Sequence, residues 1–185
     1  MTINLTKILD DAGWTIERKN DVAVFYNRAP WLGDQAYVHI VYAPATTEAL
    51  QEVDAAIVIP DYWQEFLGAQ NGAWLFGGDV NIFGVEKTGT LINRSDPFRL
   101  GPLSIVRENL RVPKEELKTK LILGGCDNGR SFAVLDRASG RVSAVPRESG
   151  AMSTQWASPG DWILGEIERL GEQFKIPPEY KSPLD

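Results

Sequence analysis

Three short apolar runs near the C-terminal end constrain the fold of this chain most strongly. They span residues 121–123, 132–135 and 142–145, and the segments CDNG and RASG separate them. Asn, Asp, Ser and Gly favour tight turns because they accept left-handed backbone angles or hydrogen-bond to their own backbone. Short apolar runs joined by such turns predict an antiparallel β-meander.

A second group of strands is predicted before residue 45. Apolar residues alternate on both sides of Asn20-Asp21, which predicts a hairpin whose second strand includes Val22, Val24 and Tyr26. The β-branched and aromatic run 36–43 predicts a third strand. A short helix is expected before the hairpin, where apolar residues recur at helical spacing.

Two helices are predicted between these groups of strands. The first begins at Thr46 or Thr47, since either hydroxyl can cap a helix N-terminus. The second begins near Pro60, where the missing N–H of proline costs nothing. Its apolar face is predicted to comprise Tyr62, Trp63, Phe66 and Leu67.

The segment NGAWLFGG follows the second helix and allows two interpretations. A phosphate-binding loop would place its glycines before a helix, whose N-terminal amides would face the anion. Here Asn71-Gly72 follows a helix, so we expect it to end that helix with a left-handed residue. Residues 74–76 then predict a strand, Gly77-Gly78 a turn, and DVNIFGV a returning strand.

The last helix carries the strongest helical signal in the chain. Ser158 is expected to cap it, Pro159 to occupy its first position, and Ile163, Ile167, Leu170 and Phe174 to form an apolar stripe. Residues 93–118 predict an irregular region with a helical turn after Pro113. Strands and helices are segregated along the chain, which predicts an α+β fold with a mostly antiparallel sheet flanked by helices.

Composition favours a soluble cytoplasmic protein. The chain has 185 residues, and 43% of them are hydrophobic, which suffices for a core. A single cysteine, Cys126, excludes an internal disulfide and agrees with a reducing compartment. The sequence shows no signal peptide and no apolar run near the ~20 residues that a membrane helix needs.

The negative charge lies in the first part of the chain. Residues 1–110 contain 14 acidic and 8 basic side chains, whereas residues 111–185 contain 11 of each. An acidic surface repels phosphate backbones, which disfavours nucleic-acid binding, and it attracts basic proteins. General solubility explains the same imbalance without any partner.

Catalytic and metal-binding sets are sparse. The chain has one histidine, His39, within a strand pattern, and a structural role for it is favoured over a role as a general base. Its one cysteine lies in a glycine-rich turn, where it is either an exposed reactive thiol or incidental. Sites built on several His or Cys ligands are excluded by number, whereas a carboxylate magnesium site stays open. No residue pattern assigns such a site, and we predict no cofactor.

The segment IPDYWQEFLGAQNGAWLFGGDVNIFGV resembles the signature of the SUKH superfamily, which includes Smi/Knr-type cell-wall regulators and bacterial immunity proteins. The resemblance rests on a proline-started helix, an Asn-Gly after it and a glycine-punctuated strand pair, and it extends to the last strands and helix. The residues that carry it are Ile59-Pro60, Tyr62, Phe66-Leu67, Asn71-Gly72, Phe76-Gly77, the segment FAVLDRASGRV and the helix from Ser158. It covers residues 46–175, so residues 1–45 are expected to be an N-terminal elaboration and residues 176–185 a tail.

This resemblance implies a protein without catalytic activity that binds another protein. Bacterial members typically bind and neutralise a polymorphic toxin, often a nuclease, and Smi/Knr-type members act as regulatory scaffolds. Contact residues do not carry over between members, and the oligomeric state stays open. From charge and expected exposure we predict Trp74 and Phe98 as apolar anchors and Asp79 and Asp96 as acidic contacts. An enzyme that uses carboxylates, with or without His39, is the remaining alternative.

Overall fold

The computed structural model describes residues 3–29, 32, 36–86, 101–150 and 154–174. Within these residues the chain forms nine strands and six α-helices. The strands are β1 (Ile16–Lys19), β2 (Ala23–Arg28), β3 (Tyr37–Tyr42), β4 (Ala73–Leu75), β5 (Val80–Ile82), β6 (Lys120–Cys126), β7 (Ser131–Asp136), β8 (Val142–Pro146) and β9 (Thr154–Trp156). The helices are α1 (Leu5–Asp11), α2 (Thr47–Ile57), α3 (Asp61–Ala69), α4 (Ile105–Asn109), α5 (Lys114–Leu117) and α6 (Pro159–Gly171).

All nine described strands form one sheet in which each strand pairs antiparallel with its neighbours in sequence. The predicted α+β class with an antiparallel sheet is therefore confirmed. Strands β1 to β3 belong to this same sheet, because β3 pairs with β4 and places Ile40 opposite Trp74. The division into residues 1–45, 46–175 and 176–185 stays a prediction.

Helices α2 and α3 form an antiparallel pair, which we call the helical hairpin (residues 47–69). The Thr46 hydroxyl caps α2 by accepting a hydrogen bond from the N–H of Ala49. Leu50 packs beside Gly68, and the amide of Gln64 donates to the carboxylate of Asp54 at 3.1 Å. These two contacts fix how the helices align.

One hydrophobic core joins the helices to the sheet. Trp63 of α3 and Trp162 of α6 are fully buried in it, as their positions in the sequence predict. Helix α6 begins as expected, because the Ser158 hydroxyl accepts the N–H of Asp161 and Pro159 occupies its first turn. The ring of Trp162 lies so close to Gly124 of β6 that no side chain fits at that position. A glycine in the meander thus lets α6 approach the sheet.

The predicted apolar face of α3 is wrong at one residue. Trp63, Phe66 and Leu67 are buried, but the side chain of Tyr62 is 48% exposed. Residues three apart share a helix face, so Tyr62 lies on the same side as the exposed Glu65 rather than with Trp63.

The end of α3 also differs from the prediction. Gln70 follows the helix in an extended conformation, and only Gly72 has a left-handed φ, of +79°. The Asn71 amide pairs with the backbone of Val85, accepting its N–H at 2.6 Å and donating to its carbonyl at 2.8 Å. Asn71 therefore ties α3 to the segment after β5 instead of capping the helix.

Three further segments depart from the sequence interpretation. Helix α4 forms in the region that was expected to be irregular, and β9 adds an unpredicted strand. Phe76 lies in a 3-10 turn, Phe76–Gly78, rather than in β4. The helical turn after Pro113 is confirmed as α5. None of the helices in the described ranges combines the length and apolarity needed to cross a bilayer.

Candidate protein-binding surface

Trp74 lies in an interior strand rather than at an edge of the sheet. In β4 it stands opposite Ile40 of β3 and Asn81 of β5. Its indole lies against Gly78, where a Cβ would overlap the ring. Trp74 is partly buried and packs against a cluster comprising Ala23, Phe25, Tyr37, Ile40 and Tyr42. Much of its ring is thus used inside the protein, and its role as a partner anchor stays a prediction.

Asp79 follows the 3-10 turn and is also partly buried. Burial raises the pKa of its carboxyl group, and the positive charge of Arg169 opposes that rise. Arg169 itself pairs with Glu166 and lies 3.4 Å from Asp127. Asp79 therefore borders a cluster of mixed charge. The other two predicted contacts, Asp96 and Phe98, lie outside the described residues.

The strongest segregation of charge lies on the helical hairpin. Residues 29–86 contain eight Asp or Glu and no Lys or Arg. Four exposed carboxylates lie on the hairpin itself: Glu48, Glu52, Asp61 and Glu65. Arg137, from elsewhere in the chain, adjoins the hairpin at the loop between its helices and offsets part of this negative charge there. The hairpin thus gives this part of the described surface an acidic character.

The end of α2 and the loop that follows it, residues 57–60, present an exposed apolar side chain; we call this segment the elbow. The side chain of Val58 is 64% exposed, and its φ of +48° is rare for a β-branched residue. The Asp54 carboxylate accepts the N–H of Ile59 at 2.7 Å, and the Gln64 amide donates to the carbonyl of Ile59 at 2.9 Å. These contacts hold the elbow in one conformation.

Arg137, from the turn after β7, supports the elbow from the other side. Its guanidinium donates to the carbonyls of Ile57 at 3.0 Å and Val58 at 2.9 Å, and also to that of Leu117 at 2.9 Å. Burial raises the pKa of the nearby Tyr62 phenol, and the positive charge of Arg137 opposes the rise. Val58, Tyr62 and Arg137 therefore belong to one local surface.

His39 is completely buried in β3. Its ring centroid lies 4.4 Å from that of Trp14 and 4.6 Å from that of Phe76, in edge-to-face geometry. Nδ1 accepts the N–H of Phe76 at 3.3 Å, while Nε2 has no hydrogen-bond partner in the described structure. Burial lowers the pKa of His39 to about 3. The imidazole is thus neutral and out of reach of a dissolved substrate.

Cys126 is buried at the end of β6, and burial raises the pKa of its thiol to about 12. The interpretation of this residue as an exposed reactive thiol is therefore wrong. The turn that follows has three consecutive left-handed residues, Asp127, Asn128 and Gly129, and it joins two antiparallel strands as predicted. Among the described residues no group of three or more His, Cys, Asp or Glu is arranged to hold a metal ion.

Two neighbouring clefts of about 240 and 560 Å³ lie near the hairpin turn before β2 and the end of α3. Both are lined by Asp21, Tyr42 and Pro44, and side-chain amides contribute to both walls, Asn71 to the smaller cleft and Asn4, Asn20 and Gln70 to the larger. Those amides are committed to the backbone: Asn71 pairs with Val85, and the Gln70 carbonyl accepts the N–H of Leu5. Binding sites for small molecules usually offer several converging polar groups, so these clefts are weak candidates.

The sequence patterns did not predict Val58 or Arg137 as part of a binding surface, and they predicted that Tyr62 lies on the buried face of its helix. The sequence does show that residues 29–86 lack Lys and Arg, and this signal points to the helical hairpin as an acidic surface. The exposure of Val58 was not visible, because the apolar run IVIP resembles a buried segment. No family model matches this chain, and no curated protein sequence matches it either.

Proposed function

We propose that this protein is a non-catalytic binding module, an immunity protein that neutralises a basic protein toxin by docking it on the acidic helical hairpin. The observation that carries the proposal is the charge segregation: eight acidic and no basic residues between positions 29 and 86, with four of the carboxylates exposed on α2 and α3. A field of one sign steers an oppositely charged protein and raises its association rate.

The chemistry of the described side chains supports a binding role over a catalytic one. A general base must reach the proton that it abstracts, whereas His39 is enclosed by Trp14 and Phe76. A nucleophilic cysteine needs a low pKa and access to solvent, whereas the Cys126 thiol is buried with a raised pKa. The enzyme alternative therefore depends on carboxylates alone.

The resemblance to the SUKH superfamily gives the proposal its second support. The α+β architecture, with Pro60 before α3, Gly72 after it and a meander before a Ser-capped final helix, agrees with the order of motifs that carries the resemblance. A toxin delivered between competing cells acts in the cytoplasm, and we propose that compartment for this protein. Nuclease toxins bind an anionic substrate, so a basic cleft on the toxin would complement the acidic hairpin.

Co-expression tests this function. The C-terminal domain of the protein encoded immediately upstream is expressed in a sensitive host, with and without this protein. We expect growth arrest by the domain alone and full growth when both are made. A variant with Glu48, Glu52 and Glu65 changed to Gln has three fewer negative charges on the hairpin with side chains of the same size, and it should protect less. Equal toxicity with and without the wild-type protein would refute the immunity role.

A further inference from the structure

We propose that the exposed side chains of Val58 and Tyr62 form the apolar anchor on which the basic partner docks, with Arg137 as the positioning residue beneath them. This inference rests on the proposed function and deepens it, because it names the contact residues. Neither residue was among those that the sequence suggested. Three observations carry the argument: exposure, rigidity and the surrounding charge.

Exposed apolar side chains are the first of these observations. Six large apolar side chains are exposed on the described surface: Ile16, Leu32, Val58, Tyr62, Leu110 and Leu164. Val58 has the highest exposed fraction, 64%, Leu110 follows at 61%, and Tyr62, at 48%, lies in the first turn of α3. Aromatic residues contribute disproportionately to protein interfaces because they bury a large area and lose few rotamers.

The elbow is also rigid in a conformation that local sterics disfavour. A β-branched residue with φ of +48° is strained, and such residues persist only where surrounding contacts impose them. Here the contacts come from Asp54, Gln64 and Arg137, whose hydrogen bonds to the elbow measure between 2.7 and 3.0 Å. A glycine at this position would lack the Cβ that makes a positive φ unfavourable, so the exposed valine is not the residue that local backbone geometry favours. A preorganised anchor, by contrast, loses little entropy on binding.

The charges around the elbow decide which occupant fits. Asp61 precedes Tyr62, Glu65 lies one turn further along α3, and Glu52 lies on α2. Arg137 lies beneath the elbow, where it donates to the carbonyls of Ile57, Val58 and Leu117, and its positive charge offsets part of the negative charge of these carboxylates. A second copy of this chain would place carboxylates against carboxylates, and an anionic membrane surface would be repelled in the same way. A protein with Lys or Arg around an apolar pocket fits both features.

The main test measures binding of the same upstream-encoded domain to purified variants by calorimetry. Val58→Thr keeps the branched shape but removes apolar surface, and Tyr62→Ala removes the ring. We expect each to weaken binding at least tenfold. The matched control is Ile16→Thr on β1, an exposed β-branched residue at the edge of the sheet, which should change the dissociation constant less than twofold. The contribution of charge is tested in the same way: Glu65→Lys on the hairpin should weaken binding, and its control Glu17→Lys on β1 should not.

Val58→Gly separates a binding role from a structural one. Glycine relieves the strain at positive φ, so we expect the melting temperature to stay the same or rise by a few degrees while affinity falls. A structural role predicts that stability and affinity fall together. If the domain binds the wild-type protein and all hairpin variants bind equally well, the anchor lies elsewhere: this inference and the docking on the hairpin are both wrong, although neutralisation of the toxin stands.

A defined probe decides the case in which the upstream domain does not bind at all. Absence of binding to the upstream domain removes the support for the immunity function. The isotopically labelled protein is then titrated with a ten-residue peptide of alternating Arg and Leu, followed by amide chemical shifts. Shifts centred on Val58, Tyr62 and Glu65, and lost in Tyr62→Ala, support a basic occupant at the elbow. Shifts scattered over the surface or centred on another face overturn the inference.

Discussion

The buried histidine makes the stability of this protein depend on pH in a way that the structure fixes. His39 has no exposed surface, and its described ring neighbours, Trp14, Tyr26 and Phe76, carry no charge to stabilise an imidazolium. Its pKa falls to about 3 in the folded protein, whereas an unfolded chain has the ordinary value of about 6.5. Between these two values the unfolded state binds one more proton than the folded state.

The sign and size of the effect follow from proton linkage. Above the unfolded-state pKa the histidine is neutral in both states and stability is at its full value. As the pH falls from about 6.5 towards 3, the unfolded state gains a proton that the folded state does not, and the free energy of unfolding decreases. Each pH unit below about 6.5 costs about 1.4 kcal/mol and the interval above it costs almost nothing, so moving from pH 8 to pH 5 should lower the free energy of unfolding by about 2 kcal/mol. Most carboxylates titrate below pH 5, which leaves this interval largely to His39.

Urea titrations followed by tryptophan fluorescence at pH 8, 6 and 5 measure this loss. The matched variant is His39→Asn, whose side-chain oxygen can still accept the N–H of Phe76 but does not titrate. We expect the variant to be less stable at pH 8, because it leaves a cavity, and to lose little further stability by pH 5. If the variant and the wild-type protein lose stability equally over this range, the reasoning about His39 is refuted.

Three other outcomes follow from the packing. Cys126 should resist a thiol reagent in the folded protein and react on addition of urea, since its thiol is buried; reaction of the native protein at the rate of free cysteine would contradict this burial. Gly124→Ala should destabilise the protein by about 2–3 kcal/mol in urea titrations, because a Cβ overlaps the carbonyl of Asn81 and the ring of Trp162. A neutral effect would show that α6 packs less closely against β6 than the structure indicates. Ser158→Ala should cost about 1 kcal/mol in urea titrations through loss of the cap on α6, and an unchanged free energy of unfolding would show that the cap does not stabilise this helix.

The sequence predicted most of the elements because their signals are local. Alternation around Asn20-Asp21, turn residues between the meander strands, and the Ser158 cap each depend on a few neighbouring residues. Helix α4 has one local signal, the Ser104 hydroxyl that caps it, but it is only five residues long, and both α4 and strand β9 depend on tertiary contacts. The Asn109 amide on α4, for example, bonds to both the N–H and the carbonyl of Ile122 in β6.

The candidate surface was harder to predict, since exposure is a property of packing. Tyr62 and Trp63 are adjacent aromatic residues, and only the orientation of α3 decides that Trp63 is buried while Tyr62 is not. Val58 stands in an apolar run that reads as core, and its support by Arg137 joins residues far apart in sequence. The acidic character of the hairpin, by contrast, was readable from the spacing of charged residues alone.

Calorimetric titration of the wild-type protein with the upstream-encoded domain, at low and at moderate salt, tests the central claim most directly. Docking of a basic partner on the acidic hairpin predicts one-to-one binding with a nanomolar dissociation constant, weakened severalfold or more as salt screens the charges. Absence of heat at micromolar concentrations, or tight binding that salt leaves unchanged, would contradict the proposed docking of a basic toxin on the helical hairpin.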